Sequence, residues 1–169
     1  MMIQNIMIQE NKPFPNSTLP ALYYPKGIAD KLNEAEASQK VLSFFEQNGY
    51  TNGWVGSIYT YHHFHSNTHE VLGCISGEAE VQLGGSNAEI YPFRSGDVLL
   101  LPAGVAHKLI TATENFQIVG AYPDHKSPDM QTGDLEDYSE ITERIQQVSK
   151  PKYDPVQNVD GGIADYWKE

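Results

Sequence analysis

Residues 61–73 read YHHFHSNTHEVLG and hold four of the six histidines of the chain together with a glutamate. Imidazole nitrogens and carboxylate oxygens are the ligands of borderline divalent metals, although the same residues also suit a solvated polar loop. Spacing helps to choose between these readings. Side chains alternate faces along a strand, so in the run IYTYHHFH the side chains of Tyr59, Tyr61, His63 and His65 share one face, with His62 and Phe64 on the other. Neighbours on one face lie roughly 7 Å apart at their Cα atoms, which lets two imidazoles grip one ion. Glu70 opens the next apolar run, and a turn through Ser66, Asn67 and Thr68 returns its carboxylate to the pair. His63, His65 and Glu70 thus form a plausible three-ligand set; with a tighter turn, His69 takes the place of Glu70.

Positioning such a set requires a rigid frame. From Gly53 to about Tyr122 the chain falls into seven short β-type runs near ten residues apart, which predicts an antiparallel barrel or sandwich. Gly84-Gly85-Ser86-Asn87 reads as a hairpin turn. Ahead of the runs, residues 11–29 carry four prolines and read as an extended arm lying over the frame. A helix follows in LNEAEASQKVLSFFEQNGY, with Asn33 and Glu36 in capping-box positions, an apolar stripe of Ala37, Val41, Phe44 and Phe45, and Gly49 as its stop. After Pro123, Leu135, Tyr138, Ile141, Ile145 and Val148 recur at helical spacing, with Pro151 as terminator. The aromatic tail is expected to dock on the barrel or on a neighbouring subunit. Boundaries follow: a barrel core near 53–122, an arm and helix over 1–52, and a helix and tail over 123–169, all in one domain.

A second motif lies in GDVLLLPAGVAHKL, where a glycine opens a buried strand, Pro102 and Gly104 make a turn, and His107 follows. With it the chain resembles the cupins. Their first motif, a glycine, His-x-His, a glutamate and a second glycine, is matched by His63, His65, Glu70 and Gly77, with Gly56 one residue earlier than the usual leading glycine. Their second is matched by Gly96, Pro102, Gly104 and His107, with Thr111 where asparagine is common. The resemblance implies an all-β, cupin-type jelly-roll β-barrel binding one metal through His63, His65, Glu70 and His107. HEVLGCISGEAEVQLGG, LPAGVAHKL and VGAYP further resemble the uncharacterised bacterial YjlB-like cupins. Three imidazoles and a carboxylate suit one divalent transition metal, Fe, Mn, Ni, Zn or Co, and four protein ligands leave coordination positions for a substrate.

Other residues have quieter readings. Tyr59 and Tyr61 share the ligand face and are candidates for substrate binding, although barrel core with satisfied hydroxyls explains them too. Asp124 and His125, after the last strand, either cap the barrel mouth or sit in a polar loop. Cys74 is about 13 Å along its strand from Glu70, too far to be a ligand, and reads as a buried, inert thiol.

A net charge of −11 argues against nucleic acid or an anionic membrane as partner, and neither helix carries a basic recognition face. The lone cysteine, the lack of a spanning apolar run and the lack of a signal-like N-terminus predict a cytoplasmic protein. Exposed strand edges and the Pro-rich arm predict a homodimer. The reading is a metal-binding cupin, a metal-dependent oxygenase or isomerase acting on a small organic molecule; the alternatives are a non-enzymatic binder or sensor of a sugar or sugar acid, and a structural barrel with a vestigial metal.

Overall fold

The computed structural model describes residues 2–33 and 35–168; Glu34, within the expected helical stretch, lies outside them. Six of the seven expected runs form strands and the first does so only at its start: β3 (Tyr50–Gly56), β4 (Glu70–Ser76), β5 (Glu78–Leu83), β6 (Ile90–Arg94), β7 (Val98–Leu101), β8 (His107–Ala112) and β9 (Gln117–Pro123). The N-terminal segment adds β1 (Gln4–Ile6) and β2 (Ala21–Tyr24). The arm is therefore partly woven into the sheet, β2 pairing with β7 through Leu22–Leu100 and Tyr23–Leu99.

Six strands form one antiparallel sheet in the order β1-β2-β7-β4-β9-β3, and three form another in the order β6-β5-β8. This is the expected all-β jelly roll, built as two facing sheets with no continuous ladder closing them among the described residues. Between them, Leu72, Cys74, Leu99, Leu101 and Ile118 of the larger sheet meet Ala79, Val81, Leu83 and Phe93 of the smaller. Alternate residues on the same strands, Val71, Val98, Leu100 and Val119, pack on the other face against Val41, Phe45, Ile163 and Trp167. A sheet covered on both faces needs apolar residues at every position, which is why VLLL is an unbroken run and not an alternating one.

The helices are α1 (Ala37–Gln47), α2 (Tyr138–Gln146) and the short α3 (Gly162–Tyr166). The Asn33–Glu36 capping box does not form: Glu36 itself is the residue before α1, at φ 62°, with no side-chain cap. The helix starts only where its stripe, Val41 and Phe45, reaches the large sheet, so packing sets the boundary. α2 is likewise shorter than its apolar periodicity, leaving Leu135 two-thirds exposed while Ile141 and Ile145 cover Phe14, Phe64 and Ala106. The tail docks as expected, on its own sheet: Trp167 is buried and its indole N–H donates to the Pro20 carbonyl at 2.8 Å.

Candidate metal centre

The continuous strand expected through the histidines ends early. β3 stops at Gly56, and residues 57–65 return to the sheets through single bridges, His63 with His107 and Phe64 with Gln131. The alternation nevertheless survives, because Tyr59, Tyr61, His63 and His65 remain mutual ring neighbours on one side. His63 and His107 exchange backbone hydrogen bonds of 3.2 and 2.9 Å, and the Gly104 N–H donates to the His65 carbonyl at 2.8 Å. Gly104 has φ +98°, and a Cβ there would stand 2.2 Å from the Asn16 carbonyl oxygen, so only glycine closes this turn. Glu70 enters from the first position of β4, opposite Leu101, the last residue of β7.

One donor atom from each of His65, Glu70 and His107 lies within 4.8 Å of the others, and all three residues are buried. The Nε2 atoms of His65 and His107 each stand 3.4 Å from the same Glu70 oxygen. Donors bonded at ~2.1 Å to one ion sit about 3.0–3.4 Å apart, so the spacing fits a shared ion. The ring of His63 lies 4.0 Å from that of His107 and 6.3 Å from that of His65, centroid to centroid, facing the same cavity.

Backbone carbonyls hold all three imidazoles from behind. Nδ1 of His63 is 2.9 Å from the Tyr61 oxygen, that of His65 2.5 Å from the Asp129 oxygen, and that of His107 3.0 Å from the Val105 oxygen. A carbonyl only accepts, so each Nδ1 carries a proton and each ring turns its Nε2 toward the cavity, the arrangement that orients metal-bound histidine.

Electrostatics agree. Burial alone would raise the Glu70 acid, but hydrogen bonds from His107 and His65 outweigh it and hold the carboxylate well below its usual range. Burial opposes charge on His65, yet Glu70 wins and raises it. His63 is lowered to about 3, by burial first and the neighbouring His107 second. Without an ion, then, the favoured proton sits between His65 and Glu70, the place a cation would take.

Several expectations are refined. His69 points away from the cavity: its Nδ1 accepts the Ala103 N–H at 2.9 Å, its Nε2 donates to the Ser149 carbonyl at 3.1 Å, and Trp167 covers its ring. With both nitrogens committed to backbone, it does not replace Glu70. Tyr59 and Tyr61 are not barrel core; they are 53% and 46% exposed and stacked on each other at 5.1 Å. Tyr59 lines the cavity, and Tyr61 sits behind it against His63. Asp124 and His125 are exposed turn residues away from the cavity wall. Cys74 is buried, and burial pushes its thiol up to about 12, in keeping with an inert role. His62 turns to the opposite side, against Phe14.

Sequence reasoning missed the segment that does reach the mouth, Pro128-Asp129-Met130. The Asp129 carboxylate accepts from the Ser66 N–H at 2.7 Å and from the Ser66 hydroxyl, the Asn67 N–H and the Gln131 amide, clamping its segment to the histidine loop. Trp54 and Tyr122 were also missed. The Trp54 indole N–H donates to the Tyr122 hydroxyl at 2.8 Å, and Tyr122 in turn bonds Glu70. In sequence these residues look like ordinary strand aromatics. The cavity they wall, with the histidines at its floor, measures about 450 Å³.

The Cupin domain family matches residues 54–119. Over 121 residues the chain is 40% identical to Uncharacterized protein YjlB of Bacillus subtilis (strain 168), spanning 72% of this chain and 73% of that protein. The chain belongs to the YjlB-like cupins. Solved structures similar to this cupin include the QdtA 3,4-ketoisomerase from Thermoanaerobacterium thermosaccharolyticum in complex with TDP, at 17% identity and a TM-score of 0.45, covering 56% of this chain and 75% of that one. Another is acireductone dioxygenase from Bacillus anthracis with a cadmium ion in its active centre, at 15% identity and a TM-score of 0.42, covering 64% and 82%. No helix of this cupin is long and apolar enough to cross a membrane.

Proposed function

We propose that this cupin is a metal-dependent enzyme of oxygenase or isomerase type that acts on a small organic molecule, with His63, His65, Glu70 and His107 as ligands. The observation that carries the reading is the shared support behind the rings: three Nδ1–H groups are tied to carbonyls, the Nε2 atoms of His65 and His107 converge on one buried carboxylate, and the His63 ring, outside that tight cluster, faces the same cavity. A barrel that only bound a ligand would not need three imidazoles locked in this way. When bound, a divalent ion there supplies Lewis acidity toward substrate oxygen atoms. The chain's own part is to orient and enclose. Carbonyls of Tyr61, Asp129 and Val105 fix the rings, Tyr122 holds Glu70, and Trp54 and Tyr59 wall the space in which a substrate lies.

Elemental analysis of anaerobically purified protein beside a His65→Ala, His107→Ala double variant tests this. Near-stoichiometric metal, lost in the variant, is expected; iron or manganese then directs an oxygen-uptake screen, and zinc an isomerase screen. A folded protein that carries no metal and refuses added metal sinks the enzyme reading and promotes a non-enzymatic binding barrel for a sugar or sugar acid. We place the protein in the cytoplasm as a homodimer. The outer edge of β1, which among the described residues pairs only with β2, supports the second point.

A further inference from the structure

The wall of the cavity narrows what enters it. Trp54, Ile58, Tyr59, Leu72, Tyr122 and Met130 surround the space above the histidine floor. Among the described residues lining it there is no lysine or arginine; Glu70 is acidic, and the Asp129 carboxylate is already paired with Arg144, 3.8 Å away and outside the lining. A phosphorylated or dianionic substrate would therefore meet no lysine or arginine in the wall to pair with, only a bound ion at the floor. One carboxylate and neutral imidazoles leave a divalent ion only a single net positive charge.

Free hydrogen-bonding groups are also few. The Trp54 indole N–H is committed to Tyr122, the Tyr122 hydroxyl to Trp54 and Glu70, and the Asp129 carboxylate to Ser66, Asn67 and Gln131, which leaves the hydroxyls of Ser57 and Tyr59 as the side-chain groups open to a ligand above the histidines. A polyhydroxylated sugar would bury more hydroxyls than these two groups can partner, and each one left over is destabilising. A flat apolar ring has no such requirement. At the mouth Tyr59 offers a half-exposed face, held upright by its stack on Tyr61 at 5.1 Å and 15°. The mouth also exposes Met130, a side chain suited to packing on a ring. The cavity's 450 Å³ lies at the small end of ligand pockets, enough for one or two fused rings.

We infer that this site takes an uncharged planar ring compound carrying adjacent oxygen atoms, the ring gripped by Tyr59, Trp54 and Met130 and the oxygens directed at the floor. The second half of that statement rests on the metal reading above; the first does not.

Isothermal titration calorimetry on the full chain, both zinc-loaded and chelator-stripped, separates the two. The probes are 2-naphthol, its saturated counterpart 2-decalol, 2,3-dihydroxynaphthalene, and thymidine diphosphate. The ring preference predicts that 2-naphthol binds both forms about threefold or more tightly than 2-decalol, and that Tyr59→Ala removes most of that difference. Thymidine diphosphate is expected to bind more weakly than either. The second hydroxyl of the diol should tighten binding to the zinc-loaded form alone. Equal affinity for naphthol and decalol, or tighter binding of the diphosphate, overturns the inference whatever the metal content. A preserved ring preference with no gain from the second hydroxyl supports the ring half and counts against the oxygens, and against the metal reading if zinc was not taken up.

Discussion

At the scale of single residues, the site is governed by where protons are allowed to sit. His65 is raised by Glu70 in the ion-free protein, so a metal must displace a proton to bind. Metal affinity should therefore weaken as pH falls through the His65 titration, with proton release detectable by calorimetry in buffers of different ionisation enthalpy. No buffer dependence would mean that the shared proton is absent. Stability has its own pH dependence. His63 and His69 are lowered to about 3 and about 4, in both cases chiefly by burial, from an unfolded value near 6.5. A histidine whose folded pKa is depressed stabilises the fold above its unfolded pKa, and that contribution is lost as pH falls toward the folded value. Urea midpoints of metal-free protein should thus fall between about pH 6.5 and 4, where His69 alone accounts for on the order of 3 kcal/mol. His69→Gln should flatten the profile.

At the scale of elements, the centre depends on joints more than on strands. The turn between β7 and β8 is latched to the histidine loop through Gly104 and His65. Gly104→Ala forces a left-handed φ on a side chain and drives a Cβ into the Asn16 carbonyl, so a loss of at least about 2 kcal/mol is expected in chemical denaturation. The other joint is the 128–130 segment, whose Asp129 carbonyl holds the His65 ring while its carboxylate holds Ser66. Asp129→Ala removes the four hydrogen bonds of that carboxylate, so it should lower the melting temperature by several degrees and also weaken metal binding to the folded protein about tenfold, as loss of support behind a ligand does. Metal titrations of wild type and variant compare directly. Gly120 sits under the Trp54 indole, where a Cβ would approach it to 2.4 Å, so Gly120→Ala should displace this wall and weaken ring binding more than metal binding.

At the scale of the whole molecule, one face of the six-stranded sheet packs on the three-stranded sheet, and the other is covered by parts of the chain outside the barrel core. α1 and the tail form that cover, and the tail reaches back to the ring of His69 beside the glutamate. Trp167→Ala removes a buried indole and its bond to Pro20, and about 3–5 kcal/mol of stability should go with it. Metal stoichiometry of the folded fraction should be unchanged, since none of the four proposed ligands comes from the tail. Light scattering at several concentrations tests the proposed dimer, and a monomer at all of them would remove it.

Much of this was legible in the residues themselves. The seven runs, the paired motifs and the shared face of His63 and His65 depend on period-two alternation and on spacing within single turns, which are local properties of a chain. The exclusion of His69 from the cavity was decided by tertiary structure: Ala103 and Ser149 come from distant segments to occupy both its nitrogens. The same is true of Asp129, sixty-odd residues from the loop it clamps, and of Trp54 and Tyr122, whose partnership joins two strands. Helix starts moved for the same reason, since contact with the sheet outweighed local capping at Asn33 and Glu36. Ligand types follow from sequence because chemistry restricts them to a few residues. The walls of a cavity do not, because any apolar strand position serves equally well until the fold decides which ones face one another.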